Sequence, residues 1–160
     1  MIRLGKLTDY GLVLMTCMAR KHHHTLHTAR GLASESKLPL ATVSKLLKML
    51  LRGGLLISRR GINGGYVLAR QAAAISVAEI IVALEGPIAL TECSGDVVGL
   101  CALEQHCAIR SNQRAISQAV RGALENVMLS DLVHPLQLIA IKNGRGQFVP
   151  TIDVLAGRVQ

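Results

Sequence analysis

The stretch Leu40-Ala41-Thr42-Val43-Ser44-Lys45-Leu46-Leu47-Lys48-Met49-Leu50-Leu51-Arg52-Gly53-Gly54-Leu55-Leu56-Ile57-Ser58-Arg59-Arg60-Gly61-Ile62-Asn63-Gly64-Gly65-Tyr66-Val67-Leu68 changes its periodicity partway along, and that change decides the fold. In its first half Leu40, Val43, Leu46, Leu47, Leu50 and Leu51 recur in steps of three and four, which marks one buried face of a helix. The opposite face carries Thr42, Ser44, Lys45, Lys48 and Arg52, and Gly53-Gly54 stops the helix. Two short β-prone runs follow, Leu55-Leu56-Ile57 and Tyr66-Val67-Leu68. Between them lies Ser58 to Gly65, rich in residues that accept positive φ, so the pair reads as a hairpin with Arg59 and Arg60 near its tip.

Working outward, Thr8 is placed to cap a first helix running to about Lys21, with Leu12, Met15, Cys17 and Met18 among its apolar positions. The polar stretch His22 to Leu26 breaks that pattern. Thr28 to Ser36 reads as a short second helix, and Leu38-Pro39-Leu40 supplies the turn into the third. Downstream, Ser76-Val77-Ala78-Glu79 forms a capping box ahead of Ile80, Ile81 and Leu84, and Gly86-Pro87 ends that helix. Residues 91–108 read as irregular. From about Ile109 to Leu129 a long helix returns, with Ile109, Ile116, Val120, Ala123, Leu124 and Val127 along one stripe. A helix of that length beside a small domain either pairs with its copy in a dimer or folds back on its own core. Little pattern follows Pro135, where a partly ordered tail is expected.

The fold class is therefore mainly α: a winged helix-turn-helix with a small β-hairpin wing and a long C-terminal dimerisation helix. The expected division is 1–85 for the winged helix-turn-helix, 86–108 for a cysteine-containing loop, 109–132 for the dimerisation helix and 133–160 for the tail. Half of the 160 residues are apolar, but the aromatics are limited to Tyr10, Tyr66 and Phe148, so the core must be aliphatic. The best apolar run, Tyr10 to Ala19, falls well short of the roughly 18 residues a spanning helix needs. With no signal-peptide pattern at the start, the chain reads as cytoplasmic and not associated with a membrane. Thiols stay reduced in that compartment, which argues against a disulfide framework for the four cysteines.

Charge is divided unevenly. Residues 1–70 hold twelve Lys or Arg against Asp9 and Glu35, a net of +10, while residues 71–160 hold six against eight, a net of −2. No acid occurs between Glu35 and Glu79. A one-sided positive field of this kind attracts polyanions through counterion release. In a winged helix-turn-helix the second helix of the motif enters the major groove, which nominates Thr42, Ser44, Lys45 and Lys48, with Ala41 beside them, for contact with double-stranded DNA. Thr and Ser exchange hydrogen bonds with bases, and Lys reaches guanine or phosphate. Arg59 and Arg60 suit the neighbouring narrow groove, where negative potential draws guanidinium groups. RNA recognition lacks the aromatic platform that splayed bases require.

Cys93, Cys101 and Cys107 fall on one irregular stretch, separated by seven and then five residues. Three thiolates so placed can converge on a metal or an iron–sulfur cluster, although no closely spaced zinc knuckle is present. The spacing alone leaves cluster, zinc and ordinary free thiols equally open. Cys17 is most simply a core residue. No base is identifiable beside a cysteine nucleophile and no nucleotide-binding loop occurs, so neither an enzyme nor a small-molecule substrate is expected.

Taken together, Leu7-Thr8-Asp9-Tyr10-Gly11, the wing sequence Arg60-Gly61-Ile62-Asn63-Gly64-Gly65-Tyr66-Val67-Leu68 and the three-cysteine loop before a long helix resemble the IscR, NsrR and RirA group of iron–sulfur-dependent winged-helix regulators. The likeness spans roughly residues 1–132. Lys6 to Gly11 and the sequence after the cysteines look most like the branch that regulates the SUF iron–sulfur assembly operon. The resemblance implies a homodimeric repressor whose Cys93, Cys101 and Cys107 hold a cluster, [2Fe–2S] rather than [4Fe–4S], with cluster state altering the placement of the reading helices. A variant of this reading senses redox or nitric oxide through thiols, zinc or a cluster and serves another operon. Two departures stand out. The first cysteine interval is longer than the five residues usual in the group, and Arg110 occupies the position of a ligating histidine, three residues after the last cysteine. Arg110 cannot ligate, so the fourth ligand is open. By resemblance, Asp9 of the partner chain is a candidate, though a carboxylate in the first turn of a helix also suits the helix dipole.

Overall fold

Three helices precede the first strand: α1 (Lys6–Ala19), α2 (Ala29–Ser36) and α3 (Leu40–Arg52). The computed structural model describes residues 3–22, 24–94, 101–102, 106–142 and 148–153, with backbone alone for Cys93 and for the last two strands. Thr28 caps α2 by accepting a hydrogen bond from the Gly31 N–H at 3.1 Å. The chain leaves α2 through Lys37 in the left-handed region, φ 58°, and re-enters helix after Pro39. On α3 the three–four spacing becomes a seam: Val43, Leu46, Leu47 and Leu50 have no exposed surface. They pack with Leu14, Met15 and Met18 of α1 and Leu32 of α2. Each such burial is worth roughly 1.5–3 kcal/mol, so this seam fixes how α3 is rotated about its axis.

The first helix departs from expectation at its start. It begins at Lys6, so Thr8 is not its cap but a fully buried residue of its first turn. Thr8 faces the end of another helix, α4 (Val77–Glu85), and its Oγ1 donates to Glu85 Oε1 at 2.6 Å. The Gly5 N–H donates to the same oxygen. A carboxylate supplied by α4 thus caps α1 from outside, the task expected of Thr8.

The hairpin forms from β1 (Leu56–Arg59) and β2 (Gly65–Leu68), with Leu56 opposite Leu68 and Arg59 opposite Gly65. The strands reach further toward the tip than the β-prone runs alone suggest, because Gly65 lets a third segment approach. His27 exchanges two backbone hydrogen bonds with Tyr66, 2.9 and 2.8 Å long, and a Cβ on Gly65 would lie 2.5 Å from the His27 carbonyl oxygen. The segment before α2 therefore lies along the wing as a third edge.

After a 3₁₀ turn at Ala72–Ala74, Ser76 and Glu79 complete the capping box of α4 as the sequence indicates. The chain then passes a short 3₁₀ turn, Glu92–Ser94, and reaches α5 (Arg110–Glu125), which is shorter than the span from Ile109 to Leu129. Beyond α5 the backbone folds back: the Val77 N–H donates to the Val127 carbonyl and the Leu129 N–H to the Ile75 carbonyl, both at 2.8 Å. A last 3₁₀ turn, Leu129–Val133, seals this return with Leu129 fully buried. The stretch read as a tail contains a second antiparallel pair, β3 (Gln137–Lys142) and β4 (Phe148–Asp153). Pro150 within β4 disguised that strand, since proline ordinarily argues against one.

The apolar stripe of α5 is seated on the chain's own core only toward its C-terminal end. Ile109 and Ile116 stay 53% and 51% exposed, and within Arg110–Glu125 the buried residue is Ser117. Near the helix end Leu124 packs on a small second cluster formed by Val77, Ile81 and Val127.

Two outcomes follow from these contacts. Thr8→Val keeps the buried shape but removes the hydroxyl that reaches Glu85, and chemical denaturation is expected to show a loss of about 1 kcal/mol. For His27, burial foremost and then Lys21 draw the imidazole below its ordinary range, against the opposing pull of Glu35. The unfolded chain therefore takes up the proton more readily. The stability linked to His27 is complete above the unfolded pKa of about 6.5 and is lost as pH falls toward the lower folded value. Denaturation midpoints measured between pH 7.5 and 5 are expected to decline less in His27→Phe than in the parent.

Candidate nucleic-acid interface and cysteine segment

Burying one stripe of α3 turns the other outward. Ala41, Lys45, Lys48 and Arg52 are exposed, and Thr42 and Ser44 are half-buried beside them. Ala41, Ser44, Lys45, Lys48, Met49 and Arg52 line a shallow depression of about 450 Å³ on this face. Three cations away from this face meet carboxylates: Lys21 with Glu35 at 3.1 Å, Arg70 with Glu79 at 2.6 Å and Arg121 with Glu125 at 2.8 Å. Among the described residues no carboxylate pairs with Lys45, Lys48, Arg59 or Arg60. Their field is therefore uncompensated locally, the arrangement a polyanion answers best.

Arg59 ends β1 and Arg60 opens the wing turn, both exposed. The turn itself is tight: the Gly64 N–H donates to the Gly61 carbonyl at 2.9 Å, and a Cβ at Gly64 would meet the Arg59 carbonyl oxygen at 2.5 Å. Between these glycines Ile62 projects with its whole side chain in solvent, at 104% relative exposure. In the sequence Ile62 is only one letter of the wing. Its position between two arginines and a glycine turn was the available signal, because a β-branched apolar residue gains nothing from the protein there.

The cysteines fall into two settings. Cys17 is buried in the main core, where desolvation foremost and then Glu35 push its thiol upward against Arg20 and Lys21. Cys101 and Cys107 are half-buried free thiols, and the Cys107 carbonyl accepts from the Arg110 N–H at the start of α5. Cys93 has its backbone in the turn Glu92–Ser94, while its side chain and residues 95–100 and 103–105 lie outside the described residues. Among the described residues no three His, Cys, Asp or Glu side chains converge as a metal site. Asp9 is exposed in the first turn of α1, and His106 is exposed next to Cys107.

One feature of this region had no signature in the sequence. Ser117, 4% exposed in the middle of α5, accepts a hydrogen bond from the Leu90 N–H at 3.1 Å and donates to Ser94 Oγ at 2.8 Å. Ser94 Oγ also contacts Thr91 Oγ1 at 2.9 Å and accepts from the Thr91 N–H at 3.0 Å. A knot of hydroxyls thus binds the turn carrying Cys93 to α5.

Among the described residues no helix is long and apolar enough to cross a membrane. Residues 4–135 match the family model Rrf2, described as an iron-dependent transcriptional regulator. The HTH-type transcriptional regulator IscR of Enterobacter sp. (strain 638) is 30% identical over 146 residues, 91% of this chain and 88% of the relative. The structure of CymR (YrzC), the global cysteine regulator of B. subtilis, superimposes with a TM-score of 0.65 at 31% identity, over 83% of this chain and 97% of that one. IscR of T. potens has a TM-score of 0.60, over 82% of this chain and 86% of that one; at 23% identity it speaks for the fold alone. The five helices with their small antiparallel wing match these winged-helix regulators. This chain belongs to the Rrf2 family of transcriptional regulators.

Proposed function

We propose that this regulator is a homodimeric repressor of iron–sulfur assembly genes, of SUF type, that reads duplex DNA with α3 and the wing and senses an iron–sulfur cluster held by Cys93, Cys101 and Cys107. The observation carrying the DNA half is the uncompensated charge of Lys45, Lys48, Arg59 and Arg60 around one outward face. Thr42 and Ser44 would exchange hydrogen bonds with base edges, Lys45 and Lys48 would reach phosphate or guanine, and the wing arginines would enter the adjacent groove. Such a role belongs to the cytoplasm. The open stripe of Ile109 and Ile116 supports pairing of α5 with its copy, since a half-exposed apolar row on a surface helix gains by burial.

The donor set fits an iron–sulfur group. Cys101 and Cys107 are unbridged thiols still reachable from solvent, and Cys93 starts from an ordered turn. When bound, a cluster, here taken as [2Fe–2S], supplies an oxidant-sensitive crosslink among thiolates. The chain's part is to hold the cluster's thiolates and pass its state to α5 through the Cys107–Arg110 junction. The fourth ligand is assigned to Asp9 of the second copy, whose exposure in the first turn of α1 leaves it accessible. A second reading, thiol or zinc sensing, draws on the same free Cys101 and Cys107 and on the likeness to a cysteine regulator.

Anaerobic purification distinguishes the two. The proposal expects brown protein with thiolate-to-iron charge-transfer absorption and matching iron and sulfide, all lost on replacing the three cysteines with serine. Colourless protein carrying stoichiometric zinc would establish the second reading instead.

The interface has its own test. Lys45→Ala or Lys48→Ala is expected to weaken promoter binding and lower the slope of log affinity against log salt by about one. Ile62→Ser is expected to weaken binding with that slope unchanged, because its contact with the groove walls releases no counterion. Titration by fluorescence anisotropy across 50–300 mM salt reads both; an unaltered affinity in all three variants would remove this face from the interface.

A further inference from the structure

We infer that Ser117 is a positioning residue for the cysteine segment: through Ser94 it holds the turn from which Cys93 is presented, and so couples that thiolate to α5. The inference rests on the cluster reading above and adds a residue outside the ligand set. A serine buried mid-helix usually returns its hydroxyl to a backbone carbonyl one turn back, as Thr16 does to Leu12 at 2.8 Å. Ser117 does otherwise. Its Oγ accepts from the Leu90 N–H at 3.1 Å and donates to Ser94 Oγ at 2.8 Å, across 27 and 23 residues of chain. Ser94 in turn closes the Thr91–Ser94 turn, with the Ser94 N–H donating to the Thr91 carbonyl at 3.0 Å. Cys93 lies one residue from Ser94, inside that turn.

The seat of α5 on this part of its own chain is thus polar, while Ile116 stays half-exposed and Leu124 packs elsewhere, on the Val77–Ile81–Val127 cluster. Hydroxyl contacts are directional but individually weak, whereas a packed leucine seat would be several times stronger. A junction of this kind sets geometry without locking it. It can therefore re-form when the state of the cysteines changes, and shift α5 when it does.

The test compares Ser117→Val with the near-isosteric Ser117→Thr, which restores a hydroxyl, and adds Ser94→Ala at a site less deeply buried. Amide hydrogen exchange on the apoprotein is read for residues 88–95. Protein reconstituted anaerobically with ferrous iron and sulfide is then read by its charge-transfer spectrum and by iron loss to a chelator. In Ser117→Val and Ser94→Ala, exchange at residues 88–95 is expected to quicken about tenfold, with altered charge-transfer bands and iron loss faster by a similar factor. Ser117→Thr is expected to stay near the parent in all three readouts.

Unchanged exchange in both Ser117→Val and Ser94→Ala would overturn the inference. So would equal disturbance in Ser117→Thr and Ser117→Val, which marks a packing effect, or quicker exchange with unaltered iron loss and spectrum. Parent protein that takes up no iron would fail the cluster reading, and the exchange comparison would still decide whether Ser117 holds the turn.

Discussion

Four side chains on one stripe of α3, Val43, Leu46, Leu47 and Leu50, leave no room for that helix to rotate. A turn of some 100° about its axis would bring Lys45 or Lys48 into an aliphatic core with no acid to meet them, a penalty of several kcal/mol per charge. The reading face is therefore fixed by the core behind it rather than by contacts of its own. The same core dictates the start of the wing, since Leu55 and Leu56 belong to it and β1 must leave from their position. The outward face of α3 and the wing are thus both indexed to one aliphatic cluster.

The second half of the molecule is joined to this core by different chemistry. Glu85 of α4 gathers Thr8 and the Gly5 amide at the start of α1, and immediately afterwards Gly86 opens the route to the cysteines. At the far end, residues 127–129 pair with 75–77 as a short backbone clasp. Between those two fixed points lie the cysteine segment and α5, tied by serine and threonine hydroxyls. Because these ties are hydroxyl contacts rather than apolar packing, a change in them can move α5 without disturbing the core.

Much of this was legible in the sequence where local chemistry and tertiary demand coincide. The period from Val43 to Leu50 and the Ser76–Glu79 box each state their structure in a few letters, and both are found as read, although Leu40 ahead of them stays exposed. Legibility failed where a residue's partner is remote. Thr8 had the composition of a cap but is claimed by Glu85, 77 residues away. Ser117 carries no local sign of its bond to Ser94. The apolar letters of α5 marked a stripe but could not say what it faces, and the β3–β4 pair was hidden by Pro150. Of the candidate site, the positions of the lysines and wing arginines on their elements followed from periodicity and turn chemistry. The exposure of Ile62 needed the turn's actual geometry.

The third edge that His27 adds to the wing has a consequence for the tempo of recognition. An isolated two-stranded hairpin frays in water, and a frayed hairpin must stiffen before it can settle in a groove. Here the Gly65–Tyr66 end is clamped between β1 and the segment leading into α2, so less chain freedom is surrendered at the moment of contact. That clamp also joins the wing mechanically to the helix ahead of α3. The two groove-reaching parts would then arrive on a duplex as one stiff fork rather than as two fingers closing in turn.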